Sequence, residues 1–298
     1  MITRIKTFLR IVYTTKNWIW ASLIYLGLIN KTEVVFRNGF RFRISGDNWK
    51  KFMDHVNFFR VFPAGKVSDK SVNIKYEGKD LIFYFGRWGP NIVNEVFGTN
   101  SYKKTLGEFD INGRDVIDLG ASIGDSIIFF SIMGARKVYG FEPFPPFYAL
   151  AVRNIKKNNL ENSCQVVKSA VGAQKGDFLV DSTYDKMLGV YSEKFETGEK
   201  IPISTLEEIV ENYKINKGVL KLDCEGCEYE VILNADNKVL RHFDYIMMEY
   251  HYGFKTLMRK LEKAGFQVKY TKPTRKFLEE KKSEYGNIEI GYLTAEKI

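Results

Sequence analysis

The fold of this chain is decided at residues 116–126, which read VIDLGASIGDS. A buried apolar strand ends in an acid, and two glycines then flank a tight turn into a helix. Gly120 lets the backbone turn and approach a ligand, while Gly124 allows close entry into the helix, whose first amides are unpaired. This pattern predicts the strand–turn–helix unit of a nucleotide-binding α/β fold.

The same turn differs from the one that binds dinucleotides. The dinucleotide pattern Gly-x-Gly-x-x-Gly needs a middle glycine where this chain has Ser122, and here Asp118 precedes the turn. A carboxylate at that position would repel a pyrophosphate but suits a cationic ligand that carries an ammonium group. S-adenosylmethionine (SAM) is such a ligand, so the residues favour SAM over NAD.

A second acid supports an adenosine cofactor. Glu142 ends the next predicted strand, 22 residues after Gly120, where a carboxylate can accept both ribose hydroxyls. A solvated acid at a strand end is the alternative, but the glycine turn at the right distance favours the cofactor. Two small residues after the third strand are expected to line the adenine. The predicted SAM-binding residues are Asp118, Gly120, Ala121, Gly124, Asp125, Glu142, Ser169 and Ala170.

Beyond residue 100, strand-like and helical segments alternate, which is typical of a mostly parallel sheet covered on both faces. Helices are expected to begin at Pro146 and Ser204, and the last two strands have no obvious helix between them. The predicted strands are Asp115–Leu119, Lys137–Phe141, Gln165–Ser169, Gly218–Asp223, Tyr245–Tyr250, Phe266–Tyr270 and Ile288–Thr294. We therefore expect an α/β, Rossmann-like domain at 101–298 with a seven-stranded sheet.

Residues 1–100 have a different character. They carry 16 Lys/Arg against 7 Asp/Glu, whereas residues 101–298 carry 29 of each. The pair Asn38-Gly39 between two strand-like pieces predicts a hairpin, so this part is expected to be a small α/β appendage. Its basic excess indicates an acidic or membrane-surface partner, or a solvated basic face.

The first 30 residues predict a basic amphipathic helix. Residues 1–32 contain five Lys/Arg and no acid, and the apolar run Trp18–Ile29 is too short to span a bilayer, which needs about 20 residues. The segment is expected either to contact a membrane surface peripherally or to pack on the core. Three cysteines form no disulfide framework and fit a reducing compartment, so a cytoplasmic location is expected, with membrane association left open.

Acidic residues and a histidine follow the fourth and fifth predicted strands, at 221–230 and 248–251. In open α/β sheets, ligands bind outside the carboxyl ends of the strands. The predicted catalytic residues on the acceptor side are Asp223, Glu225, Glu249 and His251. His251 or Asp223 is the expected base.

Three other features of this segment have plain alternatives. Glu228 and Glu230 are also consistent with first-turn helix acids. Cys224 and Cys227 are expected to be ordinary buried thiols rather than a redox pair or half of a zinc site. No residue is assigned as a metal ligand, and metal dependence stays open.

Taken together, these residues resemble the FkbM-type family of SAM-dependent methyltransferases. The resemblance covers about residues 100–270. It rests on residues 118–126, Phe141-Glu142-Pro143, Asn154, Asn158-Asn159-Leu160, residues 169–172 and above all LKLDCEGCE at 220–228. It implies a class I methyltransferase fold, SAM as cofactor, and O-methylation of a hydroxyl on a small-molecule, glycan or glycolipid acceptor.

Two rival functions remain. A nucleic-acid methyltransferase would use the basic N-terminal third as its electrostatic footprint, although nucleic acid is not the expected partner. A non-catalytic SAM-binding protein would bind the cofactor without turnover.

Overall fold

The computed structural model describes residues 2–68, 70–86, 88–181, 197–273, 275–283 and 286–298. The chain divides into two compact units, Met1–Ser101 and Tyr102–Ile298. The sequence predicted a division between residues 100 and 101.

The first unit combines helices with two small antiparallel sheets. Its elements in chain order are α1 (Ile2–Thr14), α2 (Trp18–Tyr25), β1 (Lys31–Val35), β2 (Arg41–Ser45), α3 (Trp49–Val61), β3 (Lys66–Val67), β4 (Ser71–Tyr76), β5 (Lys79–Tyr84) and α4 (Asn91–Val93). Strands β1 and β2 form the predicted hairpin, with Val35 opposite Arg41 and Gly39 at φ 92° in the turn. Strands β3, β4 and β5 form the other sheet.

The predicted N-terminal helix is two helices. Both pack on the first unit, because Ile11 of α1 and Ala21 and Ile24 of α2 are buried. In the part of the chain that the structure describes, no helix is both long and apolar enough to cross a bilayer.

The second unit contains the predicted alternation of strands and helices. Its elements are α5 (Ser101–Leu106), β6 (Asp115–Leu119), α6 (Asp125–Ile132), β7 (Lys137–Phe141), α7 (Pro145–Lys157), β8 (Cys164–Val167), β9 (Ala170–Gly172), β10 (Gly176–Val180), β11 (Glu199–Thr205), α8 (Leu206–Asn212), β12 (Gly218–Leu222), α9 (Cys227–Asn234), α10 (Asn237–Leu240), β13 (Phe243–Tyr250), α11 (Lys255–Lys263), β14 (Phe266–Tyr270), β15 (Arg275–Ser283) and β16 (Gly286–Lys297).

The central sheet has seven strands in the order β14-β16-β13-β12-β6-β7-β8, and β15 pairs with β16 outside this path. Strands β13, β12, β6, β7 and β8 are parallel, whereas β16 is antiparallel to both of its neighbours in the path. This confirms the predicted fold class, a seven-stranded, mostly parallel class I methyltransferase sheet. The strand order reverses between β6 and β12, so the carboxyl ends of these two strands border the crevice where such sheets bind ligands.

The stretch between β8 and β12 was predicted incompletely. It holds a separate sheet of order β10-β11-β9, which the sequence did not predict, and residues 182–196 within it lie outside the described part. A helix was expected to begin at Ser204, but Ser204 belongs to β11, and Thr205 caps α8 by accepting from the Glu208 amide. Ile201 and Ile203 alternate with Lys200, Pro202 and Ser204, a pattern that indicates a strand.

Candidate functional site

The turn after β6 is closed by its own hydrogen bonds. The amides of Gly120 and Ala121 both donate to the Phe141 carbonyl at 3.1 Å, and the Ser122 amide donates to Glu142 Oε2 at 2.8 Å. Because these donors are engaged inside the protein, the turn does not present them to a pyrophosphate. This arrangement agrees with the expectation that the turn is not a dinucleotide site.

Glu142 lies at the end of β7 and is buried. Its Oε2 accepts from the Ser122 amide, and its Oε1 accepts from the Phe144 amide at 2.9 Å. A carboxylate has about four lone-pair positions, so each oxygen keeps capacity for one more donor, such as a ribose hydroxyl. Burial raises the pKa of Glu142 to about 7, although the two amide donors act in the opposite direction.

Asp118 belongs to β6. The sequence predicted that it binds SAM, and in the structure it is fully buried with its carboxylate engaged by protein partners. Its Oδ1 lies 2.8 Å from Lys221 Nζ, and its Oδ2 accepts from Ser126 Oγ at 2.5 Å. Lys221 also donates to the Gly120 carbonyl at 2.9 Å. Asp118 therefore positions the turn through Lys221 and Ser126.

In the buried pair of Asp118 and Lys221, each side chain favours the charged form of the other. Burial raises the pKa of Asp118 even with an ammonium group beside it. Burial alone would lower the pKa of Lys221, but the Asp118 and Asp223 carboxylates outweigh burial and raise it. A buried charge without a partner is costly, so the two side chains depend on one another.

The two residues that are predicted to line the adenine, Ser169 and Ala170, are buried. The Ser169 side chain is buried; its hydroxyl donates to the Pro202 carbonyl at 2.8 Å, and its Oγ is also hydrogen-bonded to Ser204 Oγ at 2.9 Å. It joins the end of β8 to β11, and its hydroxyl is not offered to a ligand. Ala170 is buried as the first residue of β9, and Asp125 is buried as the first residue of α6.

Asp223, directly after β12, lies next to the glycine turn that follows β6. Its amide donates to the Leu119 carbonyl at 3.0 Å, and its Oδ2 accepts from the Tyr102 hydroxyl at 3.1 Å. Tyr102 was not predicted, because it stands some 120 residues earlier in the chain and no local motif marks it. Its ring also lies 5.6 Å from Lys221 Nζ. Tyr102 thus interacts with both Lys221, near the end of β12, and Asp223, directly after it.

His251 is brought together with the predicted acids. Its Nδ1 is hydrogen-bonded to Glu228 Oε1, and its Nε2 lies 3.5 Å from Glu225 Oε2 and 4.0 Å from Glu249 Oε2. His251 and Glu228 are both buried. The side chains of Asp223, Glu225, Glu228, Glu249 and His251, which we call the acceptor cluster, therefore place one imidazole among four carboxylates.

The surroundings of His251 disfavour the predicted role of a neutral imidazole base. Burial acts to lower the pKa of His251, but the Glu228, Glu225 and Asp223 carboxylates outweigh it and raise the pKa to about 10. His251 is therefore protonated at neutral pH in the free protein. In that state it orients the carboxylates around it and cannot accept a proton.

Glu228 was also consistent with a first-turn helix acid, and the structure confirms this position, with the side chain buried. It lies in the first turn of α9, where its Oε2 accepts from the Gly226 amide at 2.8 Å. The signal was present in the sequence, since Glu228 precedes the buried Val231 and Ile232 by three and four positions and so shares their helix face. The next residue, Tyr229, donates to the Gly253 carbonyl at 2.6 Å, which fixes the loop after His251.

Cys224 and Cys227 are not free thiols. They form a disulfide that closes the turn between β12 and α9, whereas Cys164 is free and buried. The turn brings the two sulfurs together because Glu225 and Gly226 both have positive φ, 59° and 122°. The expectation of ordinary thiols is thus wrong for this pair.

Ligand atoms of Asp223, Glu225 and His251 all lie within 4.8 Å of one another, a spacing that can hold a metal ion. A divalent ion there would have to displace the proton from His251. The cluster therefore has two possible occupants of its centre, a proton or a metal ion.

We predict that Gly120→Ala destabilises the second unit. Gly120 has φ 82°, and a Cβ there would lie 2.0 Å from the Asp223 carbonyl oxygen. Overpacking costs about 1–3 kcal/mol in addition to the strain of positive φ, itself about 1–2 kcal/mol. The matched control is Gly113→Ala, because Gly113 has φ 70° with nothing within 4 Å of its Cβ. Equal losses in chemical denaturation would contradict the proposed contact.

The family model of the methyltransferase FkbM domain matches residues 118–268. Protein arginine N-methyltransferase 6 of Xenopus tropicalis is 29% identical over 100 residues, which are 33% of this chain. The chain thus aligns with only 29% of the length of that protein.

Several methyltransferases are among the solved structures that are similar to this chain, at TM-scores near 0.4. Precorrin-6y C5,15-methyltransferase from Geobacter metallireducens GS-15 has TM-score 0.39 and 14% identity, over 66% of this chain and 89% of that chain. An rRNA methylase from Streptococcus thermophilus has TM-score 0.40 and 10% identity, over 66% and 94%. M. capricolum TrmK, solved with S-adenosyl-homocysteine, has TM-score 0.41 and 12% identity, over 66% and 68%.

Proposed function

This chain belongs to the FkbM methyltransferase family, its cofactor is SAM, and we propose that it methylates a hydroxyl oxygen of a small-molecule, glycan or glycolipid acceptor. The observation that supports the proposal is the acceptor cluster, which begins at Asp223, directly beside the cofactor turn. It offers carboxylate oxygens to an acceptor O–H at the carboxyl ends of β12 and β13.

The residues of the turn fit SAM. Glu142 has lone pairs left for the ribose hydroxyls, and Gly120 to Ser122 form a turn with internally satisfied amides. Bound there, SAM supplies a methyl group on a positively charged sulfur, which suits the carboxylates that border the turn. The Asp118–Lys221 pair keeps the turn and the β12 end in register.

We propose that Asp223 accepts the proton of the acceptor hydroxyl. The Tyr102 hydroxyl holds Asp223 Oδ2, which leaves the rest of the carboxylate for the acceptor. His251 is a positioning residue: its protonated ring holds Glu225 and Glu228 while it keeps its own proton. Accepting the proton would make the acceptor oxygen a better nucleophile toward the methyl group that SAM would supply.

A cationic acceptor nitrogen is the second candidate. The four carboxylates of the acceptor cluster outnumber its one imidazolium, and such a surplus favours a guanidinium or ammonium group. The likeness to a protein arginine N-methyltransferase over 100 residues points to the same acceptor class. A phosphate-rich acceptor would be repelled by the cluster, so a nucleic acid is disfavoured.

The experiment is an acceptor screen by mass spectrometry. The purified chain and SAM are incubated with fractionated small-molecule, glycolipid and peptide extracts, and products heavier by one methyl group are isolated. We expect modified hydroxyl compounds that are absent when Asp223→Asn replaces the natural chain. Products confined to the peptide fraction would favour the nitrogen acceptor, and cofactor binding without any product would favour a non-catalytic protein.

We predict that SAM affinity depends on the ionisation of Glu142. The pKa of Glu142 is raised to about 7 in the free protein, and ribose hydroxyls bind the ionised carboxylate better, so affinity falls as pH falls below 7. Between pH 8 and pH 6 the dissociation constant should rise about tenfold. Calorimetry on Glu142→Gln supplies the reference, because titration of SAM itself affects both proteins alike. Identical pH profiles would contradict this role of Glu142.

A further inference from the structure

Exposed apolar side chains are concentrated at the N-terminus. Among the described residues, eleven large hydrophobic side chains are exposed, and eight of them belong to residues 5–28. These eight are Ile5, Phe8, Leu9, Tyr13, Ile19, Trp20, Leu26 and Leu28, which we call the N-terminal apolar surface. Single exposed hydrophobics are ordinary, whereas a concentration of this kind marks an interaction site.

Helix α1 has two apolar faces. Ile11 is fully buried against the first unit, while Ile5, Leu9 and Tyr13 follow one another at four-residue spacing and are 54%, 43% and 70% exposed. The helix is held in this orientation, since Arg37 Nε donates to the Tyr13 carbonyl at 2.7 Å. The packing of Ile11 on the opposite face therefore keeps Ile5, Leu9 and Tyr13, the α1 stripe, exposed.

Helix α2 extends the same surface. The rings of Phe8 and Trp18 meet edge to face at 5.5 Å, which joins the two helices. On α2, Ile19 and Trp20 are each about half exposed, while Ala21 is buried. Both helices thus present hydrophobic side chains outward while a different face packs inward.

Charge indicates what covers this surface. Residues 1–32 hold five Lys/Arg and no acid, and Lys6, Lys16 and Lys31 are exposed. A protein partner with a purely apolar face would not use these cations, whereas an anionic lipid headgroup layer uses both features. Exposed tryptophan is also typical of the interface between headgroups and acyl chains.

We propose that the N-terminal apolar surface lies in the headgroup region of an anionic lipid bilayer. With 13 residues, α1 is about 20 Å long and lies on the membrane instead of crossing it. Ile19, Trp20 and the α1 stripe enter the boundary of the acyl chains, and the lysines contact anionic headgroups. This association concentrates the enzyme where lipid-borne acceptors reside, but it does not depend on the acceptor proposed above.

The test uses the full chain, because removal of α1 and α2 would expose the buried side chains that pack beneath them. Co-sedimentation is measured with phosphatidylcholine vesicles that contain or lack phosphatidylglycerol. Ile19→Gln with Trp20→Gln should weaken binding to the anionic vesicles roughly thirtyfold. Lys6→Gln with Lys16→Gln should weaken it by a similar factor, about fivefold per lysine. The controls are Val152→Gln and Lys238→Gln, exposed positions of the second unit.

Three outcomes would overturn the proposal: equal binding of all variants, equal binding to neutral and anionic vesicles, or no binding at all. Self-association that the Ile19/Trp20 variant abolishes, without vesicle binding, would assign the surface to a second copy of the chain. Binding to RNA that the lysine variant abolishes, again without vesicle binding, would assign it to nucleic acid. SAM affinity should be the same in every variant, which separates this test from the test of the enzyme.

Discussion

Replacing Asp223 by asparagine should lower the turnover of the identified acceptor by roughly 10²–10⁴-fold, because the acceptor hydroxyl loses the group that takes its proton. SAM affinity should change little, since Glu142, which is proposed to bind the ribose hydroxyls, keeps its carboxylate. Steady-state kinetics and calorimetry on the same samples measure both quantities. Glu262→Gln, an exposed acid on α11, is the matched control and should retain full activity.

Glu228→Gln separates two roles for His251. The variant removes the carboxylate that contributes most to raising the pKa of His251 from 6.5 to about 10. If the protonated ring is required, activity of the variant should decline as pH rises through neutrality, whereas the natural chain keeps its activity up to higher pH. A gain of activity at neutral pH would instead show that neutral His251 is the base and that our assignment is wrong.

A chelator tests whether the acceptor cluster works with a bound metal ion. If the protonated state of His251 is the working one, EDTA should leave the rate unchanged. Loss of activity with EDTA and recovery with manganese would show that Asp223, Glu225 and His251 act as metal ligands.

Lys221→Met should produce the largest loss of stability, about 3–5 kcal/mol, because it leaves Asp118 charged and buried without a partner. The pKa of Asp118 is already raised by burial and will rise further in the variant. A group whose pKa is raised on folding stabilises the protein at low pH and loses that contribution as pH rises. The variant should therefore be least stable at neutral and alkaline pH and recover partly on acidification.

Two further variants make this prediction specific. Asp118→Asn combined with Lys221→Met removes both charges and should recover much of the lost free energy of unfolding. Lys168→Met breaks the exposed pair with Glu199 and should cost less than about 1 kcal/mol. If the single Lys221 variant were no less stable than the Lys168 variant, the buried pair would not have the role described.

The sequence predicted the fold well because its evidence is local. The strand at 115–119, the glycine turn and the acid at 142 each occupy a short segment, and the hydrophobic alternation after residue 100 indicates a parallel sheet. The same approach failed where partners are distant. Lys221 lies about 100 residues from Asp118, and Tyr102 about 120 from Asp223, so neither contact follows from spacing.

The sequence does not show which protein partners the polar side chains of the candidate site have. Asp118 and Ser169 were assigned to the cofactor by their position at strand ends, and in the structure their polar atoms contact protein partners. The pKa of His251 could not be predicted, because the sequence does not show that Glu228 contacts its Nδ1. In each case the residue type and its strand were predicted correctly, whereas the partner that sets its chemistry was not.

One NMR spectrum tests directly whether a methyl group passes from SAM to an acceptor oxygen. The chain is incubated with SAM labelled with carbon-13 at the methyl group and with the acceptor found in the screen, and the product is examined by NMR. We predict a methoxyl carbon resonance that is absent with Asp223→Asn. An N-methyl resonance, or label that remains entirely on SAM, would contradict the account.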